Sequence, residues 1–451
     1  MKRHLLAIFV LVIFMTVLPT HLRFAHHNPT LAGIEPYYHS RMAMELLNGI
    51  PKEDTGIANG RPYILHPYHV VLALGYKLIG PLAFNLLPII FAITGFVFFW
   101  LLLKKLGIPK NTRPWILLAY ALSPPMIATA TIGTPHAFVL ALLMAGTWLL
   151  LTRWWILGSI LYIIASLSGL IYNITAIVFL IVLLLAFPKK THSCIATAIV
   201  CIIAIVIGHY PPATEMPRGI AQYLSDFGGV YGFSIFAFLL AIVGAVLVWK
   251  HKQKYYGAYA IVIAFLIASF FLPRLLVFAN VIVSALAGTA LAKLSQREWE
   301  LGFLRQAALL VLFCGLLFSS ISHAVTLADT PPTPAFFKAL EFPSGTVLTH
   351  ENYGFWVESA GHTAVIDPLW KELAAPDDQN WDVEALFKST DLIKTNLLLR
   401  KYNVTHVLIT PEMEHGLIWE REEEGLDFLV KNSETFKKLE TNSSIGVWRT
   451  R

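Results

Sequence analysis

The sequence predicts a polytopic α-helical membrane protein of about eleven transmembrane helices, followed by a small C-terminal α/β domain on the outer side. Three observations carry the prediction. First, 56% of the 451 residues are hydrophobic and only 14% are charged, where a soluble domain carries about a quarter charged residues. Second, the apolar runs are long, repeated and nearly free of charge, as spans of about 20 residues must be. Third, the charge is divided. Residues 1–325 hold 22 Lys+Arg and 8 Asp+Glu, whereas residues 326–451 hold 12 and 20. A basic membrane body therefore precedes an acidic soluble segment.

The apolar runs lie at 5–22, 82–103, 114–131, 135–152, 154–168, 170–187, 193–209, 231–249, 255–271, 274–293 and 304–325. Met1-Lys2-Arg3 before the first run resembles the start of a signal peptide. Pro19-Thr20-His21-Leu22 offers no small-x-small cleavage site, so the run reads as a retained span. Lys/Arg bias orients the chain. Lys2-Arg3, Lys104-Lys105, Arg153, Lys189-Lys190, Lys250 to Lys254 and Lys293 to Arg305 all fall on the cytoplasmic side if eleven runs cross. The run at 64–80 must then not cross. It carries His66, Pro67, His69 and Lys77 and reads as a helix lying on the outer surface.

This divides the chain into a membrane domain at 1–325, with outer loops at 23–81 and 209–230, and an outer domain at 326–451. The latter opens on Thr330-Pro331-Pro332-Thr333-Pro334. β-Branched runs at 346–349, 363–366 and 406–410 read as strands, alternating with helical stretches near 381–400 and 417–432. The three cysteines, Cys194, Cys201 and Cys314, form no CxxC pair and predict neither a disulfide framework nor a thiolate metal site. No basic run interleaves with aromatics as a nucleic-acid groove would.

Chemistry is confined to one side. Of the eight acidic residues in the membrane body, Glu298 and Glu300 fall in a cytoplasmic loop. Glu35, Glu45, Glu53, Asp54, Glu215 and Asp226 fall in outer loops, and none lies within a span. A transporter coupled to protons or sodium needs a carboxylate at membrane depth, so that class is disfavoured. In the first outer loop, Glu35-Pro36-Tyr37-Tyr38-His39-Ser40-Arg41 predicts a helix with Pro in its first turn. Glu35 then sits at the positive end of the helix dipole, and Arg41 and Glu45 form an i,i+4 pair. Three further segments are polar at the outer face: Thr214-Glu215-Met216-Pro217, Pro273-Arg274 and Gly133-Thr134-Pro135-His136. A guanidinium at Arg274 has the donor geometry to grip a phosphate.

Together these segments resemble the catalytic subunit of oligosaccharyltransferase and, more broadly, the GT-C membrane glycosyltransferases. That family carries Gly-x-Asp-Pro-Tyr-Tyr-His-x-Arg in its first outer loop, matched here with Glu35 in place of the Asp. It also carries a Glu-x-x-Pro-like segment, an outer-end Arg and a Tyr-Gly-x-Trp motif. These resemble Glu215-Met216-Pro217, Arg274 and Tyr353-Gly354-Phe355-Trp356, in the same order along the chain. The resemblance implies Glu35 and Glu215 as catalytic, and Arg274, Arg41 and His39 as donor-phosphate ligands. It places Tyr353 and Trp356 on the acceptor side, and makes Glu35 and His136 candidate ligands for Mg or Mn, with a metal-independent reaction as the other reading. It implies an inverting transfer from a polyprenyl-phosphate-linked sugar to a glycan, lipid or protein acceptor. The absence of a transit peptide and the compact outer domain point to a prokaryotic plasma membrane. Two motifs depart from the family. Thr134 and His136 stand where an acidic pair is usual, and His350-Glu351-Asn352 replaces the Trp-Trp-Asp that reads a protein sequon. A simpler transferase that moves one sugar fits better. A non-catalytic relative that binds lipid-linked glycan or scaffolds a complex is the alternative.

Overall fold

The computed structural model describes residues 2–187, 191–208, 219–249, 252–369, 377–421, 424–439 and 444–451. In chain order, α1 (Lys2–Ala25) and α2 (Glu35–Leu46) precede an antiparallel ribbon of β1 (Glu53–Asp54) and β2 (Arg61–Pro62). Then come α3 (Pro67–Ile79), α4 (Ala83–Lys105), α5 (Arg113–Ala121), α6 (Pro124–Thr131), α7 (Pro135–Leu150), α8 (Trp155–Ser166) and α9 (Leu170–Ala186). They are followed by α10 (Thr191–Gly208), α11 (Ile235–Val248), α12 (Lys252–Phe271), α13 (Leu276–Gln296) and α14 (Gly302–Ala328). The C-terminal part holds α15 (Pro334–Ala339), β3 (Thr346–Leu348), α16 (Gly354–Ser359), β4 (Thr363–Ala364), α17 (Asp377–Lys388) and α18 (Leu392–Lys401). It ends with β5 (Val404–Ile409), α19 (Gly425–Leu429), β6 (Phe436–Leu439) and β7 (Gly446–Thr450).

Two compact units emerge. The first comprises residues 1–27, 66–68 and 78–330; the second comprises 28–65, 69–77 and 331–451. Most of the first outer loop thus groups with the C-terminal residues.

The first unit is helical and apolar. Four described helical stretches are long and apolar enough to cross a membrane: His4–Ala25, Pro67–Lys105, Pro273–Gln296 and Gly302–Ala328. The bent pair α6–α7, turned by 116°, makes a fifth if counted as one span. The shorter apolar helices are Trp155–Ser166, Leu170–Ala186, His192–Ala204, Ile235–Val248 and Tyr256–Phe271. The run expected as one span at 114–131 is broken between α5 and α6, where Ser123-Pro124-Pro125 removes backbone donors and forces Ser123 into an extended conformation. The 39-residue stretch from Pro67 to Lys105 would measure about 58 Å as continuous helix, roughly twice the ~30 Å of a bilayer core. A 3-10 turn at Gly80–Leu82 separates its two helices.

Outward-facing positions on α1, α11 and α14, such as Leu6, Val246 and Phe318, are exposed yet apolar, as lipid-facing positions are. Between helices, small residues set the spacing. A Cβ on Gly288 of α13 would lie 2.2 Å from the Ile116 Cα of α5, so the backbones meet there without intervening side chains.

The second unit is built on a five-stranded sheet of order β4-β3-β5-β7-β6. β4, β3 and β5 run parallel; β7 is antiparallel to β5 and to β6. Parallel neighbours need crossovers, here α16 between β3 and β4, and α17 and α18 between β4 and β5. Val347, Leu348, Val407, Leu408, Phe355, Leu386, Phe436 and Val447 fill its core. The helix expected near 381–400 is two helices, because Asp391 caps α18 by accepting from the Ile393 and Lys394 amides. Among the described residues of the stretch at 417–432, the α-helix is the short α19. Residues 56–58 extend the sheet at β4. The Gly56 carbonyl accepts from the Ala364 amide, and the Ala58 amide donates back to Ala364.

Candidate functional site

Within the second unit, α2 carries Glu35, His39 and Arg41. Its start is fixed from both sides. Pro36 sits in the first turn and Glu35 is its acidic residue there, which favours the carboxylate at the helix N-terminus. Gly33, at φ +87°, has a conformation that favours glycine. Its amide donates to the Pro331 carbonyl at 2.8 Å, and its carbonyl accepts from the Trp356 indole at 3.1 Å. The Asn28 and Thr30 side chains both donate to the Pro332 carbonyl. Tyr37 donates to Leu31 and packs its ring 5.4 Å from that of Phe337. The segment leading to Glu35 is therefore stitched to residues 331–337 and to α16. Glu35 itself is half-buried.

Arg41 is committed to carboxylates. It donates to Glu45 at 2.7 Å, to both oxygens of Asp54 at 2.7 and 3.0 Å, and to Glu358 at 2.6 Å. Arg61 forks onto Asp54 at 2.9 and 2.6 Å and also pairs with Asp367. All but Glu45 are buried. Burial alone would raise the Asp54 carboxyl. The Arg41 hydrogen bonds, the two guanidinium charges and the Gly56 amide outweigh it and hold the group down at about 2. Glu358 goes the other way: burial first, then the neighbouring Asp367 charge, push it well above the ordinary range despite Arg41 and Arg61. Arg41, expected from the sequence to meet the donor phosphate, is here bound within this cluster. Its terminal nitrogens are taken by Glu45, Asp54 and Glu358. Glu45 was read as its i,i+4 partner; Asp54, Arg61, Glu358 and Asp367 were not found. Their separation in sequence gave no spacing signal.

His39 belongs to a different chain of contacts. Its Nδ1 lies 2.8 Å from the His69 Nε2, and the His69 Nδ1 lies 2.9 Å from the Tyr63 hydroxyl. Tyr38 packs edge-on to both imidazoles, at 5.3 and 5.5 Å, and stacks on Phe355. Sequence reading marked His69 only as a polar residue in an apolar run.

Tyr353 and Trp356 are both buried. The Tyr353 hydroxyl accepts from Thr410 and donates to Glu412, and Trp356 packs 4.9 Å from Phe336. Trp356 thereby holds Gly33.

The first unit holds the other two described residues. Arg274 stands in a 3-10 turn at the start of α13. It lies within electrostatic reach of His136, which opens α7 behind Pro135. His136 shares a 3.0 Å hydrogen bond with Tyr172 and is boxed by the rings of Tyr231 and Phe278. Glu215 lies outside the described residues. Among the described residues no group of three His, Cys, Asp or Glu side chains is placed to hold a metal. The His136 Nδ1 is taken by Tyr172. No step below is routed through a metal.

No family model and no curated protein matches the chain by sequence. Solved structures do match. The apo oligosaccharyltransferase of Archaeoglobus fulgidus is 12% identical with a TM-score of 0.64, over 96% of this chain and 73% of that one. AglB from the same organism, solved with an inhibitory peptide and a dolichol-phosphate, is 12% identical with a TM-score of 0.62, over 98% and 74%. ArnT from Cupriavidus metallidurans is 11% identical with a TM-score of 0.51, over 97% of each chain. These are GT-C glycosyltransferases. At such identities the likeness is one of fold, and the fold of this chain is that of GT-C glycosyltransferases.

Proposed function

We propose that the chain is a membrane glycosyltransferase that moves a sugar from a polyprenyl-phosphate-linked donor to an acceptor on the extracytoplasmic side. The observation that carries this reading is Glu35. On a GT-C fold, the chain places a half-buried carboxylate in the first turn of α2, clamped through Gly33 to Pro331 and Trp356. Two neighbours give the reading its substrate class. One AglB structure holds dolichol-phosphate and another Archaeoglobus structure a tethered acceptor peptide with an NVT sequon. This chain has His350-Glu351-Asn352 where the family reads a sequon, so a non-sequon acceptor is proposed.

In this mechanism Glu35 takes the proton of the acceptor nucleophile, which attacks the anomeric carbon with inversion. Arg274 pairs with the phosphate and stabilises the charge that develops as the glycosyl bond breaks. Glu215 orients the acceptor. Eleven spans, an N-terminus in the cytoplasm and residues 326–451 outside complete the arrangement, in a prokaryotic plasma membrane.

Replacing Trp356 by Phe keeps an aromatic ring in the core but removes the fused pyrrole ring and with it the N–H that holds Gly33. Loss of that hydrogen bond costs about 1 kcal/mol of stability. Displacement of Glu35 is expected to lower turnover by about tenfold with little change in donor KM, since misplacement by an ångström costs up to about a hundredfold. Equal loss of donor affinity and turnover would instead put Trp356 against the substrate.

The reading is tested by comparing lipid-linked and surface glycans, by mass, in cells with and without the gene. Loss of one sugar from the surface glycan, with build-up of the lipid-linked sugar, is the expected outcome. Unchanged glycans with retained binding of lipid-linked sugar would favour the non-catalytic relative, a reading that Thr134 and His136 in place of an acidic pair also favour.

A further inference from the structure

His39, His69 and Tyr63 are joined by two hydrogen bonds of 2.8 and 2.9 Å, all within the second unit. Each His–His contact can hold a single hydrogen, because one nitrogen must donate and the other accept. The state of one ring therefore dictates the state of the next. If His69 donates from Nε2 to His39 Nδ1, then His39 Nε2 bears a hydrogen. If His39 donates from Nδ1, its Nε2 is a bare acceptor. Both imidazoles are buried, at 8% and 1% exposure, while Tyr63 is half-exposed. The chain thus runs from the interior to a group that water reaches. It also begins on the same face of α2 as Glu35, which lies four residues and one helical turn earlier.

We propose that His39, His69 and Tyr63 form a proton relay that carries the acceptor's proton from α2 to solvent during sugar transfer. This rests on the transferase reading. In the transfer, the acceptor O–H bond breaks and the acceptor oxygen bonds to the anomeric carbon. The bond from that carbon to the phosphate oxygen breaks, and the polyprenyl phosphate leaves with its electron pair. One proton is left over, first taken by Glu35. His39 Nε2 receives it, the Nδ1 hydrogen of His39 passes to His69 Nε2, the Nδ1 hydrogen of His69 passes to Tyr63, and Tyr63 gives its own to water. The return stroke reverses each transfer: Tyr63 takes a proton from water and His39 Nε2 gives one to the departing phosphate. His69 and Tyr63 act through His39 and are positioning residues.

Charged and titratable groups flank the relay, with Glu35 one helical turn earlier on α2. Tyr38 contacts both rings, and the Arg61 and Arg41 guanidiniums stand 5.2 and 5.9 Å from the Tyr38 ring centre. Burial and the Asp54 charge hold the Tyr38 hydroxyl neutral against the pull of the two arginines. The two guanidiniums stay charged through their carboxylate partners.

The experiment is a side-chain nitrogen NMR titration of the histidine-labelled full chain in lipid nanodiscs, for the wild type and the Y63F and H69N variants. Turnover of the lipid-linked sugar pool extracted from the cells' own membranes is followed over the same pH range, in H2O and D2O. His39 and His69 are expected to titrate as one coupled unit in two steps, Y63F to shift both, and H69N to return His39 to a single step. Y63F is expected to lower kcat by about tenfold, to reduce the solvent isotope effect and to leave the donor KM within twofold. Independent titration of His39, or a Y63F variant with unchanged kcat and isotope effect, overturns the relay. Coupled titration in a wild type that turns over no lipid-linked sugar overturns the transferase reading and with it the catalytic use of the relay, while the coupled proton unit stands.

Discussion

Replacing Glu35 by Gln is expected to lower sugar transfer by at least about a hundredfold while leaving the fold intact. General-base groups contribute roughly a hundredfold to ten-thousandfold, and Gln keeps the shape of the side chain while losing the proton affinity. The carboxylate also gains from its place in the first turn of α2, where the amide dipoles favour an anion. Gln forfeits that gain, worth about 0.3–1 kcal/mol at an exposed helix end, too little to unfold a unit held by its own core. The measurement is transfer of sugar from the membranes' own lipid-linked pool, with hydrogen exchange of the sheet strands as the check on folding. A Glu35→Gln chain that transfers at the wild-type rate would remove Glu35 from the mechanism. A Glu35→Asp chain should keep much of the rate, since the carboxylate remains on the same helix turn.

The fold was legible where the physical signal is local. Spans announce themselves by uninterrupted apolar composition, and the runs at 5–22, 274–293 and 304–325 lie within helices long enough to cross. The break at Ser123-Pro124-Pro125 was legible in principle, since proline removes a donor and restricts its predecessor, but apolar composition on both sides hid it. β3, β4 and β5 occupy the runs read as strands, because buried β-branched residues mark them. β6 and β7 were missed: Lys437 and Lys438 make β6 a polar edge strand, and edge strands carry weak patterning. In the candidate site, helix-start chemistry placed Glu35, Pro36 and Arg41 together. The partners of Arg41 and His39 could not be read. Glu358 lies 317 positions from Arg41 and His69 lies 30 from His39, and only the tertiary fold brings them together.

The same separation makes the Arg41 cluster the larger stability determinant. Arg41→Met is expected to destabilise the second unit by about 3–5 kcal/mol, the usual result of removing one partner from a buried ion pair. Arg41→Lys should recover only part of this, because a point charge cannot serve Glu45, Asp54 and Glu358 at once as a planar fork does. The pH dependence discriminates further. Asp54 is held down at about 2 in the folded chain and returns to about 3.9 on unfolding. Its stabilisation is therefore present above about pH 4 and is lost as the pH falls towards 2. Glu358 is raised, so the folded chain keeps a proton that the unfolded chain releases. Its contribution is full below an unfolded value of about 4.3 and declines as the pH rises towards the folded one. Glu358→Gln imitates the protonated form. It should match the wild type near pH 4 and become progressively more stable than it as the pH is raised to 8. Hydrogen exchange of the β3, β5 and β7 amides across that range reads both effects. A stability difference between the Glu358→Gln and wild-type chains that stays constant with pH would show that Glu358 is ionised in the folded state, and that three buried carboxylates are balanced by Arg41 and Arg61 alone.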